Sequence, residues 1–332
     1  MTLRVAMLFT LVWMFTPAGG RQRRIWLVCR GEIDTNDIRE MDQGQIVAKT
    51  LPAGDSEIAV FLASAVNTDP DAFVDAVGHP EALWKAPKVP RVQRFSTPPR
   101  PADVEDIQLD PRDLEAIRRC VPGDCEVKLT ASEIRRLQIA PSIQLEFRRL
   151  IFDRVARYLE RGVAGTGALH DHARPLDQAA ISAELLIRSP WLTERAPGLA
   201  QYVEDFPSAR LGDVHSFIYW LETDHTPKPT IQVVHVMIAR HSGQGIFAPE
   251  VVVVSRQVFA SHYINGSLAV SVLFRDRTKS RRYLAYANRL HVDGLNGWLG
   301  GLRRLLIERS VRGRGAAALD KQRQRIEAWN RF

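Results

Sequence analysis

Apolar positions recur every second residue through most of the stretch from Val214 to Val292. They fall in five runs: VHSFIYWLE, TIQVVHVMIAR, EVVVVSRQVFASHYI, SLAVSVLF and RRYLAYANRLHV. A period of two is the repeat of a β-strand, in which alternate side chains share a face. Ile231, Val233, His235 and Met237 share one face of the second run. Leu268, Val270, Val272 and Phe274 share a face of the fourth, opposite Ser267, Ala269 and Ser271. In the third, Val252, Val254, Val258, Ala260, His262 and Ile264 fall together, interrupted by Arg256. Asn265-Gly266 predicts the hairpin turn that joins the third run to the fourth. The period then becomes helical. Leu295, Trp298, Leu299, Leu302, Leu305 and Leu306 mark one face of a closing helix. Gly297, Gly300 and Gly301 cost that helix roughly 1 kcal/mol each, which predicts close approach by the sheet or by a ligand.

Earlier in the chain, Gln45–Leu51 and Glu57–Val66 read as strands. The second is apolar on both faces and therefore central. Asp69-Pro70 starts a helix with Asp69 as N-cap and Pro70 in the first turn. Arg91–Ser96 returns as a strand, and the linker TPPRPAD follows. From Asp110 to Pro207 the pattern is helical. Thr130 and Glu133 form a capping box, and Phe147, Ile151, Val155, Tyr158 and Leu159 make a stripe that ends at Gly162. The expected fold is α+β: a curled antiparallel sheet gripping a long C-terminal helix, with an inserted helical region at about residues 100–207. The domain is expected to span residues 40–310, and residues 311–332 to form a helical tail.

The 332 residues are 45% hydrophobic and 25% charged, ordinary for a globular chain that needs no staples. The formal net charge is +7. A basic balance permits contact with anionic lipid or nucleic acid, and also fits a soluble, Arg-rich surface. Arg4, the apolar run Val5–Thr16 and the small residues of Pro17-Ala18-Gly19-Gly20 read as a signal peptide over residues 1–20. The run is too short to span a ~30 Å bilayer. Arg21, Arg23 and Arg24 follow at once and resist translocation, which leaves an uncleaved anchor or a different start as alternatives. The expected location is periplasmic or secreted, and export argues against a nucleic-acid partner.

Two of the three cysteines lie in Cys120-Val-Pro-Gly-Asp-Cys125. Pro122-Gly123 is the central pair of a type II turn. In an oxidising compartment the cysteines close a small disulfide loop worth about 2 kcal/mol on the chain-entropy model. A redox or zinc pair is the alternative, but four residues intervene rather than two, and no second ligand pair exists.

The order of elements resembles the helix-grip arrangement of START-type lipid-transfer domains. The chain after about residue 40 also resembles a family of uncharacterised secreted proteobacterial proteins. The residues that carry this are Pro122-Gly123-Asp124-Cys125 with Lys128-Leu129, then Ala260-Ser261-His262-Tyr263, Asn288-Arg289, Val292-Asp293-Gly294-Leu295 and Gly300-Gly301-Leu302-Arg303-Arg304. This resemblance implies no activity.

Candidate chemistry is sparse. No nucleophile elbow, P-loop or dinucleotide fingerprint occurs, so no cofactor and no metal is implied. His235 and His262 lie on apolar strand faces; brought together they could move protons or hold a metal, and apart they are core histidines. His170-Asp171-His172 has ligand-type residues but reads as a solvated turn. Arg289 and Asp293 stand before the closing helix, either as a clamp on a polar ligand head or as an ion pair. Arg303, Arg304, Arg309, Arg312 and Arg314, near Trp298, have the residue types of an anionic-lipid surface or a solvated helix face. The leading expectation is non-enzymatic binding or transport of a lipid or other hydrophobic small molecule. Tyr263 and Trp298 would line the cavity, with His235, His262 and Arg289 as polar contacts. A His235/His262 enzyme and an envelope protein with a filled core are the alternatives.

Overall fold

The computed structural model describes residues 25–28, 31–224, 227–241, 247–295 and 300–329. The expected signal peptide and Trp298 lie outside the described residues, as do the side chains of Arg303, Arg304 and Arg312. A short hairpin, β1 (Ile25–Val28) with β2 (Gly31–Ile33), leads into α1 (Thr35–Asp42). Then come β3 (Val47–Thr50), β4 (Glu57–Val66), α2 (Pro70–Gly78), α3 (Pro80–Trp84) and β5 (Arg91–Arg94).

The helical stretch holds α4 (Pro111–Arg119), α5 (Ala131–Ile139) and α6 (Ile143–Arg161). A two-residue ladder, β6 (Ala168–Leu169) with β7 (Leu176–Asp177), precedes α7 (Gln178–Ile187), α8 (Pro190–Arg195) and α9 (Pro197–Asp205). Five long strands complete the sheet: β8 (Val214–Thr223), β9 (Thr230–Arg240), β10 (Phe247–Ala260), β11 (Ile264–Asp276) and β12 (Arg281–Val292). The last described element is α10 (Gly300–Trp329).

Local signals in the sequence explain several boundaries. Asp69 accepts from the Asp71 and Ala72 amides, with Pro70 in the first turn of α2. Thr130 and Glu133 cap α5 reciprocally. Gly162, at φ +63°, ends α6, where an added Cβ would strike the Phe206 carbonyl. Gly123 takes φ +101° between Val121 and Asp124, as the turn between the cysteines requires, and Cys120 is disulfide-bonded to Cys125.

One antiparallel sheet of eight strands has the order β3-β4-β12-β11-β10-β9-β8-β5. It is open, with β3 and β5 as its edges, and is not strongly curled, contrary to the expected curl. Helices cover both faces, so apolar area is buried by layering rather than by wrapping.

The front face carries the larger side chains. Phe61, Tyr283, Val270, Phe274, Val254 and Met237 meet α1, α7, α8 and α9. Beside them Trp220, Val233 and Phe259 meet Phe147, Ile151, Val155 and Tyr158 of α6. The helical stretch between β5 and β8 is thus a lid on this face. The back face meets α2, α3 and α10 through Leu62, Leu284, Val253, Val236, Tyr219 and Leu221.

Two expectations change at the end of β10. A bulge between Gln257 and Phe259 breaks the alternation, so Arg256, Val258 and Phe259 are all buried against front-face groups. The chain then reverses at Ser261–Tyr263, with Tyr263 at φ +60°, and Asn265-Gly266 lies inside β11 rather than at a hairpin tip. Ser261 pins this reversal: its hydroxyl accepts from the Ile231 amide at 3.0 Å, and its own amide donates to the Ile231 carbonyl at 2.9 Å. Gly266 is needed for packing instead, since a Cβ there would sit 2.7 Å from Ile181 Cγ2 of α7.

The expected tail is no separate element. α10 is continuous through Trp329, and its second half carries the docking. Leu319 and Ile326 are buried with Leu62, Phe73 and Leu83. Arg325 donates to the Leu83 and Lys85 carbonyls, and Glu327 accepts from the Asn67 amide at 3.0 Å. The expected close approach at Gly297, Gly300 and Gly301 falls outside the described side chains. A described one occurs at Gly315, where a Cβ would lie 3.2 Å from Leu62 Cδ1.

Candidate functional site

The lower back face is built from small and neutral side chains. Ser255 and Gln257 come from β10, Ser267, Ala269 and Ser271 from β11, and Tyr286 and Asn288 from β12. Front-face neighbours such as Val270 and Phe274 fill their space; serine and alanine at alternate positions do not. A cavity of about 210 Å³ remains between this floor and the helices. Its walls are Phe73, Val77, Leu83 and Trp84 of α2 and α3, and Tyr219, Leu221, Val234 and Val236 of β8 and β9. Leu319, Gln322 and Ile326 of α10 lie over it.

Among the described residues, no lining side chain is charged. Burial pushes the Tyr286 hydroxyl up to about 12, against a small lowering by Asn288. Burial, aided by Tyr286, likewise pushes Tyr219 well above the ordinary phenol range. Both remain protonated donors at neutral pH. Ser267 Oγ donates to Asn288 Oδ1 at 3.0 Å, which fixes the polar end of the floor.

Two roomier clefts are surface features with charged rims. One, about 670 Å³, is lined by Glu133, Arg136 and Arg157, but Arg136 already pairs with Glu146 and Asp153, and Arg157 with Glu133. The other, about 560 Å³, has Glu160, Arg161, Glu204 and Asp205 at its rim.

No family model, curated protein or solved structure matches the chain. The site therefore has to be argued from its own geometry.

Of the ligand contacts expected from the sequence, the described ones, His235, His262, Tyr263 and Arg289, do not line the 210 Å³ cavity. His235 lies on the front face, where its Nδ1 is 2.8 Å from the Tyr158 hydroxyl and its ring packs on Phe206. Burial, with Arg256 nearby, pulls its pKa down to about 3, so the imidazole is neutral. His262 is in the reversal after β10. Its Nε2 is 2.8 Å from Asp113 Oδ2 and its Nδ1 is 2.9 Å from the Glu126 carbonyl, so oxygen acceptors occupy both nitrogens. Lys228 completes this cluster, 3.1 Å from Asp113 Oδ1.

The two histidines share no partner. Ser261, next to His262, is bonded to Ile231, which is four residues from His235 along β9, about 13 Å at ~3.3 Å per residue. That exceeds the reach of a shared proton transfer.

Tyr263 is half-buried at the reversal, and its carbonyl accepts from the Asp293 amide at 2.9 Å. Arg289 faces front and pairs with Glu57 at 2.5 Å, also donating to the Pro52 carbonyl at 3.1 Å. Asn288 points to the back face and Asp293 to Lys128, so these three neighbours form no clamp. Arg309 and Arg314 are exposed.

The residues missed in the sequence are the neutral floor of β11. Its signal is legible in retrospect: Ser267-x-Ala269-x-Ser271 is a strand face too small to fill a helix–sheet interface.

Proposed function

We propose that the protein binds, without transforming it, a small neutral molecule with an apolar body, held between the sheet and the C-terminal helix. One observation carries this reading: a cavity of about 210 Å³ whose described lining side chains are all uncharged, roofed by Leu319 and Ile326 of α10. Volume narrows the ligand. A dry apolar cavity of ~150 Å³ accepts benzene, and drug-sized ligands need ~300–1,000 Å³. The fit is to a ring or a short acyl chain rather than to a two-chain lipid. Tyr219, Tyr286, Gln232, Gln322 and Asn288 offer neutral hydrogen bonds to one polar group on such a molecule.

The chemistry of the lining favours binding over catalysis. Among the described residues it has no carboxylate, imidazole, ammonium, guanidinium or thiol, and the two phenols are held protonated. A helix laid across one face of an antiparallel sheet is also what a helix-grip binder requires, here on a flatter sheet and with the second face roofed by helices. The Cys120–Cys125 disulfide supports residence in an oxidising compartment such as the cell envelope. No described helix is long and apolar enough to cross a membrane.

Native mass spectrometry of protein purified from its source tests the reading. One small apolar molecule per chain is expected. A bare polypeptide mass, with no uptake of added indole or benzyl alcohol, contradicts it.

A further inference from the structure

Asp171, His172 and Asp293 converge on one point from distant parts of the chain. Backbone bonds at His170 and Asp171 fix the segment that carries the first two. The Gly123 amide donates to the His170 carbonyl at 2.8 Å, the Cys125 amide to the Asp171 carbonyl at 3.1 Å, and the His170 amide to the Leu129 carbonyl at 2.8 Å. The segment from His170 to His172 thus lies along the disulfide loop and is not a solvated turn. Asp293 is fixed just past β12 by its amide bond to Tyr263.

His172 Nε2 stands 3.5 Å from Asp171 Oδ2 and 3.4 Å from Asp293 Oδ1. Both separations exceed ordinary N–H···O hydrogen bonds of ~2.7–3.2 Å. They match the ligand–ligand edge of a tetrahedral zinc site, about 3.3–3.4 Å for bonds of ~2.0–2.1 Å. All three ligand atoms lie within 4.8 Å of one another.

A second observation points to a cation. Asp171 is 5% exposed; its Oδ2, the oxygen nearest His172, is shared with Lys128, and its Oδ1 has no hydrogen-bond partner. A buried acceptor left unpaired is destabilising, and a carboxylate that turned this oxygen to a metal ion would satisfy it. Lys128 does not fill this role. Its three ammonium protons are matched on the inner side by Asp171 Oδ2 at 2.7 Å, Asp293 Oδ2 at 2.7 Å and Asn265 Oδ1 at 2.5 Å. Two carboxylates against one ammonium leave one negative charge, which favours a divalent ion.

Lys128 and Asn265 are the partners that orient the carboxylates from behind, Asn265 also donating to Asp293 Oδ1 at 2.8 Å. His291 lies behind Asn265, its Nδ1 3.2 Å from Nδ2. The side chain of His172 is 56% exposed, so the outer side is open to solvent.

We propose that Asp171, His172 and Asp293 bind one zinc-class divalent ion, with the fourth position open to water or another ligand. One imidazole and two carboxylates suit zinc or manganese better than calcium, which prefers six or more oxygens. Its three ligands are not among the residues that line the 210 Å³ cavity.

Calorimetric titration of the full chain, first treated with chelator, tests this with zinc, manganese and calcium chlorides in turn. One saturable zinc site per chain is expected, with calcium much weaker. His172→Ala removes an exposed ligand without disturbing Lys128 and should weaken zinc binding by at least about tenfold. Asp293→Asn, which keeps an acceptor for Lys128, should weaken it as well. Zinc should raise the melting temperature of the wild type but not of His172→Ala. Absence of saturable zinc binding overturns the proposal, as does equal binding by His172→Ala. A metal-independent loss of stability in that variant, with no response to zinc in the wild type, would show that His172 is only an ion-pair partner and would overturn it too.

Discussion

Arg289 Nη1 lies 2.5 Å from Glu57 Oε1, with both residues buried, and so ties β12 to the start of β4. Glu57 also accepts from the Gly54 amide at 2.9 Å, and Arg188 approaches it at 3.6 Å. Removing one member of a buried pair leaves an uncompensated charge and costs about 3–5 kcal/mol. Arg289→Ala should therefore lower the urea midpoint by that equivalent, while Arg289→Met with Glu57→Leu should recover most of it. A loss below about 1 kcal/mol in the single variant would exclude this structural role.

Gly266 tests where the chain turns. In a two-residue hairpin tip Gly266 would need positive φ, so Gly266→Ala would cost stability whatever stood at position 181. Beneath α7, its Cβ would meet Ile181 Cγ2 at 2.7 Å, and overpacking of that kind costs about 1–3 kcal/mol. Pairing it with Ile181→Ala should restore part of the loss. Denaturant titration of both variants reads the result.

His235 should make the fold acid-sensitive before its carboxylates do. Its folded pKa is about 3, depressed by burial and by Arg256, against 6.5 for the free side chain. Between those values the unfolded chain binds the proton and the folded one does not. Stability therefore falls as pH drops from 6.5 toward 3, by up to about 1.4 kcal/mol per pH unit. His291, also lowered chiefly by burial, shares the window. The measurement is thus the difference between wild type and His235→Gln, which should be flat above pH 7 and change below 6.5. Asp293, held low by Lys128 despite burial, acts only below its ordinary 3.8.

Cys120→Ser with Cys125→Ser should cost about 2 kcal/mol by loop entropy. Because the same loop holds Asp171 in place through the Cys125 amide, the double variant should also weaken zinc binding.

The fold was legible where local chemistry decides. Asp69-Pro70, Thr130 with Glu133 and Gly162 set helix ends that tertiary packing did not override. The strand faces of β9 and β11 also follow from alternation alone. What the apolar faces did not reveal was where a cavity would form. The faces with most apolar area are the ones helices cover first, so His235 became core. The cavity formed on the opposite face, where Ser267, Ala269 and Ser271 bury too little to be filled. Asn265-Gly266 misled for a similar reason: its small size serves the approach of α7, and Ser261 supplies the turn. The site of Asp171, His172 and Asp293 joins segments more than a hundred residues apart, which spacing cannot reveal.

The central claim is that the space between α10 and the floor of β11 takes up a small apolar molecule. Methyl chemical shifts of Leu319, Ile326 and Val253 during titration with indole test it most directly. The account predicts saturable shifts at these three residues in the wild type and their loss in Ala269→Leu, which fills the floor. No shifts in the wild type, or the same shifts in the filled variant, would contradict it.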